Sequence, residues 1–210
     1  MTSTTVWWVR PTSAARLTSV LHKYIIVPGD QPAMGATVLI ADEQAAFVET
    51  YRRWLLDTFD IRTARNGQEV LDQLGPDIDL VLLERRFTDL TDEEILQTIE
   101  DRAPDCRVIM LTSIEPAFDI IEFDIDAYLL KPVSKQELRA VIEQVIELPR
   151  YHPGRARRYA LLSKKTVLEG VKPEAELAGS EAFRNLVVEL EGIKADLEVF
   201  DPPEYPPGPE

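Results

Sequence analysis

The chain has a single cysteine, Cys106, and only two histidines among 210 residues. One thiol excludes a disulfide scaffold and a multi-cysteine zinc site. No apolar run approaches the roughly 18 residues needed to span a bilayer, so a membrane partner is not expected. Basic charge is scarce: 23 Lys+Arg oppose 37 Asp+Glu, for a net charge of −14. Nucleic acid and anionic lipid are polyanions, so that balance disfavours both as main partners. Lysine is rarer than arginine. An acidic, lysine-poor chain suits concentrated salt, where the Debye length falls to about 3 Å at 1 M and self-repulsion is screened.

Residues 1–33 do not share this acidity: they hold Arg10, Arg16 and Lys23 against Asp30. They lack the basic start and continuous apolar stretch of a secretory signal. The reading expects residues 1–35 to be an extension outside the folded unit, with Met34 as the true start and a cytoplasmic location.

From there the chain alternates. Short apolar runs at Val38–Ala41, Ile61–Ala64, Leu80–Leu83, Val108–Leu111 and Ala127–Leu130 predict five strands. Between them Phe47, Tyr51 and Trp54, then Val70 and Leu71, then Ile95, Leu96 and Ile99 recur at helical spacing. A short helix is expected near 117–122, and Ser134 caps a last one carrying Leu138, Val141, Ile142 and Val145. Thr91 with Glu94 has the spacing of a capping box. Strands apolar throughout and separated by helices imply a parallel sheet covered on both faces. Its functional crevice lies at the carboxyl ends of the strands. The residues there are Asp42, Glu43, Glu84, Thr112, Ser113 and Lys131. Clustered carboxylates call for a cation, a hard oxygen set suits Mg²⁺, and a lysine beside it can hold a phosphoryl oxygen.

These residues, with Val38–Glu43, Asp79–Arg86, Met110–Ser113 and Tyr128–Pro132, resemble the receiver domain of two-component response regulators over residues 36–148. The resemblance implies a flavodoxin-like (βα)5 fold. It assigns Asp42 and Glu43 to the acidic metal pair, Thr112 to the switch hydroxyl, Tyr128 to the switch aromatic and Lys131 to the family's lysine, with a usually cis peptide before Pro132. Glu84 stands where the family has its phosphoaccepting Asp. One added methylene moves a carboxylate by about 1.5 Å, and a misplacement of about 1 Å can cost on the order of 10²-fold in a positioned reaction. Glu84 is therefore a poor nucleophile, and its charge of −1 only partly imitates a phosphoryl group. Three readings stay open: a receiver independent of phosphorylation, an inert scaffold, or a residual phosphoacceptor. The longer Glu43 weakens or abolishes the implied Mg²⁺ site. No placed histidine offers a general base, so an enzyme is not expected.

Residues 149–200 form a second module. Its first stretch, 150–165, holds Arg150, Arg155, Arg157, Arg158, Lys164 and Lys165 with no acid. These either pair with the chain's own carboxylates or contact nucleic acid; the first is the expectation, and a DNA-binding transcription regulator is the alternative. His152 has no partner at metal spacing. A first helix spans about 156–170, and Ser180 caps a second. There Phe183, Leu186, Leu190, Ile193, Leu197 and Phe200 form a heptad seam. The seam closes on the first helix as a hairpin or on a second chain as a homodimer. Residues 159–169 onward resemble the HalX domain, which follows receivers in haloarchaeal regulators and implies a helical output module. The Pro-rich residues 201–210 are expected to be disordered. The whole reads as a response regulator, with a histidine kinase or another signalling protein as partner.

Overall fold

A computed structural model describes residues 35–147 and 153–200, with side chains through Ile193. The proposed start at Met34, Arg150, His152, the side chains of Leu197 and Phe200, and the Pro-rich tail lie outside the described residues.

Five strands form one parallel sheet in the order β2-β1-β3-β4-β5. They are β1 Thr37–Ala41, β2 Asp60–Ala64, β3 Leu80–Leu83, β4 Arg107–Thr112 and β5 Ala127–Leu130. Helices α1 (Ala45–Leu55), α2 (Gly67–Gln73), α3 (Asp92–Arg102) and α4 (Lys135–Glu147) connect or follow them, and a single 3-10 turn, Phe118–Ile121, joins β4 to β5. Alternate side chains of a strand face opposite ways, and both faces are covered. Val38, Ile40, Leu80, Leu82, Ile109, Leu111 and Leu129 pack against Tyr51 and Leu55 of α1 and Leu138, Val141, Ile142 and Val145 of α4. Leu39, Ala41, Val81, Leu83, Val108, Met110 and Tyr128 pack against Val70 of α2 and Ile95, Leu96 and Ile99 of α3. This is why the central strands read as unbroken apolar runs.

Local signals set the helix starts. Thr91 and Glu94 exchange backbone and side-chain hydrogen bonds as a capping box. Asn66 caps α2 by accepting from Glu69 N. Ser134 accepts from Glu137 N at 3.2 Å, while its own amide donates to the Glu137 carboxylate at 2.8 Å.

The second module is α5 (Pro153–Val171), α6 (Glu174–Gly179) and α7 (Glu181–Phe200). The short α6 was not anticipated; Pro173 sits at its N-cap. Ser180 accepts from Phe183 N at 3.2 Å, the expected cap of α7. Helices α5 and α7 run antiparallel: Arg157 pairs with Glu189, while Leu161 clusters with Leu186 and Leu190. The described part of the seam therefore closes within one chain. Phe183, Leu186 and Leu190 are buried, and Ile193 packs at the margin of their cluster.

The module is not a free-standing coiled pair. Tyr159 belongs to the core on the α1/α4 face, whereas Val167, Leu168 and Phe183 belong to the core on the other face. Helix α5 lies along β5, the edge of the sheet. Ser163 Oγ accepts the Tyr128 amide at 2.9 Å. Lys164 Nζ, fully buried, donates to the carbonyls of Ile121 at 3.1 Å and Phe123 at 2.5 Å. An unpaired strand edge is an association hazard; here a helix of the same chain covers it.

Candidate functional site

The strand order reverses at β1, between β2 and β3, and the crevice opens beyond Ala41 and Leu83. Asp42 and Glu84 follow those strands directly, and Lys131 follows β5. Lys131 Nζ reaches across to both acids, 2.5 Å from Asp42 Oδ2 and 2.6 Å from Glu84 Oε2. The Lys131 side chain is only 3% exposed, and that of Glu84 13%. The free oxygens are also engaged: Asp42 Oδ1 accepts from Gln44 N at 2.8 Å and Glu84 Oε1 from Arg85 N at 2.7 Å. The ammonium lies 4.1 Å from the centroid of the Phe47 ring, which adds cation–π attraction. Tyr51 stacks on Phe47; burial, then the charges of Asp42 and Glu84, raise its pKa. The Lys131–Pro132 peptide is cis, and Pro132 itself is exposed. One cation thus sits between two carboxylates, each with its second oxygen on a backbone amide.

Glu43 does not join them. Its Oε1 accepts both the amide and the hydroxyl of Thr88, each at 2.8 Å. Neighbouring Asp89 accepts the Gly67 and Gln68 amides at the start of α2, both at 2.9 Å, and these bonds hold its pKa low. Gly67 is required there, since a Cβ would come within 2.9 Å of Leu90 Cβ. The expected convergence of three carboxylates thus reduces to two. No cluster of three His, Cys, Asp or Glu able to hold a metal occurs among the described residues. With Lys131 on the facing oxygens of Asp42 and Glu84 and Glu43 turned to Thr88, the donor set does not fit the Mg²⁺ site implied by the resemblance.

Thr112 and Tyr128 meet at one peptide. Thr112 Oγ1 accepts from Ile114 N at 3.1 Å, and Tyr128 OH donates to Ile114 O at 2.8 Å. Both residues are buried, and desolvation raises the Tyr128 pKa. The Thr112 hydroxyl is turned to this loop backbone, and Glu84 is gripped by Lys131.

Arg85 was missed at the sequence level. It is 6% exposed, and its guanidinium donates to Asp92 Oδ2 at the start of α3 and to Asp119 Oδ2 in the 3-10 turn, both at 2.8 Å. It also stands 5.1 Å from the Phe123 ring centroid. Asp92 Oδ1 accepts the amide of Arg86, whose φ of 59° is a left-handed conformation uncommon outside glycine. The available signal was an arginine two positions past an apolar strand, where charge is expensive unless paired.

The response regulator receiver domain model matches residues 38–143, half of the chain. The chain belongs to the response regulator receiver family. The HalX domain model matches residues 154–199. A protein of Haloferax volcanii, provisionally named a transcriptional regulator, is 36% identical over 170 residues, covering 80% of this chain and 29% of that protein. LuxO, a regulatory protein of Vibrio cholerae, is 26% identical over 113 residues, covering 51% of this chain and 25% of its own length. The chain thus spans under a third of either relative. Among solved structures, the non-phosphorylated HemR receiver domain of Leptospira biflexa superposes with a TM-score of 0.51 at 23% identity, covering 55% of this chain and 97% of that one. A signal receiver domain from Pseudomonas fluorescens gives 0.50 at 24% identity, covering 54% and 95%. These two show the fold. The haloarchaeal origin of the first relative agrees with the acidic, lysine-poor composition.

Among the described residues of the basic stretch, the charge is directed inward. Arg157 pairs with Glu189 at 2.7 Å, Lys165 with Glu169 at 2.6 Å, and Lys164 is capped by two carbonyls. Arg155 and Arg158 also have partners. No described helix is long and apolar enough to cross a membrane.

Proposed function

We propose that this chain is a cytoplasmic response regulator whose receiver works without accepting a phosphoryl group and whose HalX helices form its interaction module. The observation that carries the reading is the Lys131–Glu84 contact. The residue at the acceptor position is already neutralised by the ammonium that would otherwise hold an incoming phosphoryl oxygen, and its other oxygen accepts a backbone amide. A nucleophilic carboxylate attacks through a lone pair aimed at the donor. Both Glu84 oxygens are engaged by hydrogen bonds, and the side chain is one methylene longer than the family's Asp. A sensor kinase or another signalling protein then reads a surface set by sequence rather than by phosphorylation.

The test is labelling with radioactive acetyl phosphate in molar salt with Mg²⁺, on wild type beside Glu84→Asp. Wild type is expected to take up no acid-labile phosphate, and shortening the side chain is expected to restore some. Robust label on wild type overturns the reading. DNA binding through residues 150–165 is disfavoured because Arg157 and Lys165 are paired with acids of the chain and Lys164 is buried; sequence-specific retardation of DNA at molar salt would reverse that ranking.

A further inference from the structure

Two polar contacts from different parts of the chain meet on the segment between β4 and β5. From the pocket side Arg85, the neighbour of Glu84, holds Asp119 by an ion pair and lies over Phe123. From the HalX side Lys164 holds the carbonyls of Ile121 and Phe123. The segment is one 3-10 turn, Phe118–Ile121, anchored by buried Ile120. Such turns have poorer hydrogen-bond geometry than α-helices and persist only in short pieces. A second route runs from Thr112 through Ile114 to Tyr128, whose side chain Arg85 also engages, and ends on the β5 backbone. That backbone is tied into the sheet by the β4–β5 ladder. A strand amide cannot shift without breaking its ladder, whereas a single turn can repack.

We propose that Arg85 is a positioning residue which couples the carboxylate at position 84 to the docking of helix α5, through residues 118–123. Arg85 donates its amide to Glu84 Oε1 at 2.7 Å and its guanidinium to Asp92 and Asp119. A change in charge or reach at residue 84 alters the Arg85 backbone, and the guanidinium then carries the change to Asp119 and Phe123. The carbonyls that seat Lys164 belong to that same segment. The coupling is a free energy shared between two places on the molecule and is reciprocal. It rests on the reading of a phosphorylation-independent receiver and deepens it by naming how the fixed carboxylate at position 84 supports the docking of the HalX helices.

The test is hydrogen exchange on the full chain in molar salt, following amides of α5 (residues 159–168) and of the segment 118–123. Wild type, Glu84→Gln, Arg85→Gln and the double variant are compared. Glu84→Gln is expected to lower α5 protection about fivefold or more, the lower end of usual coupling between sites. In the Arg85→Gln background the same change should alter protection less than twofold. A purely structural Arg85 would give independent, multiplying effects instead. Unchanged α5 protection in Glu84→Gln, or an undiminished effect without Arg85, overturns the proposal. Should Arg85→Gln fail to fold, Asp119→Asn removes only the arm to the turn and carries the same comparison. Phosphate uptake by wild type would defeat the preceding proposal alone, because the exchange comparison uses no phosphodonor.

Discussion

The amide of Tyr128, on the edge strand of the receiver, donates to the hydroxyl of Ser163 in the HalX helix at 2.9 Å, and both residues are buried. An amide facing outward from a sheet edge ordinarily meets water or another strand. Here it is satisfied from a domain about 35 residues downstream in sequence. Ser163→Ala leaves that buried N–H without a partner, which costs about 1–3 kcal/mol. Urea unfolding of the full chain should show the loss, and Ser163→Thr should recover part of it. An alanine variant as stable as wild type would show that water replaces the serine.

Lys131 is the single cation between Asp42 and Glu84. Lys131→Met should destabilise the chain by about 3–5 kcal/mol, because it leaves two buried carboxylates without a counter-charge. Adding Glu84→Gln should return a sizeable part of that, giving a non-additive pair by chemical denaturation. Additive losses would mean that the two side chains do not depend on each other.

The donor set does not fit Mg²⁺, so the metal should stabilise the fold little. At matched ionic strength, 10 mM Mg²⁺ is expected to raise unfolding free energy by less than about 0.5 kcal/mol, since a ligand stabilises only in proportion to its occupancy of the native state. Substituting Glu43 should not change that response. A saturable increase of 2 kcal/mol or more would restore the metal site.

Lys164 gives a pH signature. Burial first, then the nearby Arg157, push its pKa down to about 8, against the opposing charges of Asp124, Glu189 and Glu122. The ordinary lysine value is 10.5. Between these values the unfolded chain binds the proton more readily than the folded one, so stability rises with pH across roughly 8 to 10.5. The gain attributable to Lys164 is on the order of 3 kcal/mol. It should appear as a difference between wild type and Lys164→Met in denaturant midpoints taken every half unit of pH. Parallel curves for the two proteins would remove Lys164 as its source.

The strands were legible because the sheet is covered on both faces; the five apolar runs fall within one residue of β1 to β5 at either end. The caps at Thr91, Ser134 and Ser180 were legible for a local reason, since a hydroxyl and an acid or amide three residues on need nothing from the rest of the fold. The convergence of Asp42, Glu84 and Lys131 followed from the rule that parallel strands end on one side. What stayed hidden depended on side-chain direction. Glu43 and Asp42 are adjacent, yet one turns to Thr88 and the other to Lys131. Nothing local marked Arg85, because its partners Asp92 and Asp119 lie 7 and 34 residues away in sequence. In α7 the described seam residues Phe183, Leu186 and Leu190 are buried, but sequence could not say that α5 also meets the receiver.

The covering of β5 leaves β2 as the other border of the sheet, and its outward positions are Asp60 and Arg62, both exposed, in a strand of five residues. A short, charged border is poor ground for strand addition. Among the described residues, then, neither rim of this sheet is favourable ground for adding a strand. That leaves the helical faces and loops, and not a ladder of backbone amides, as the surface other molecules meet.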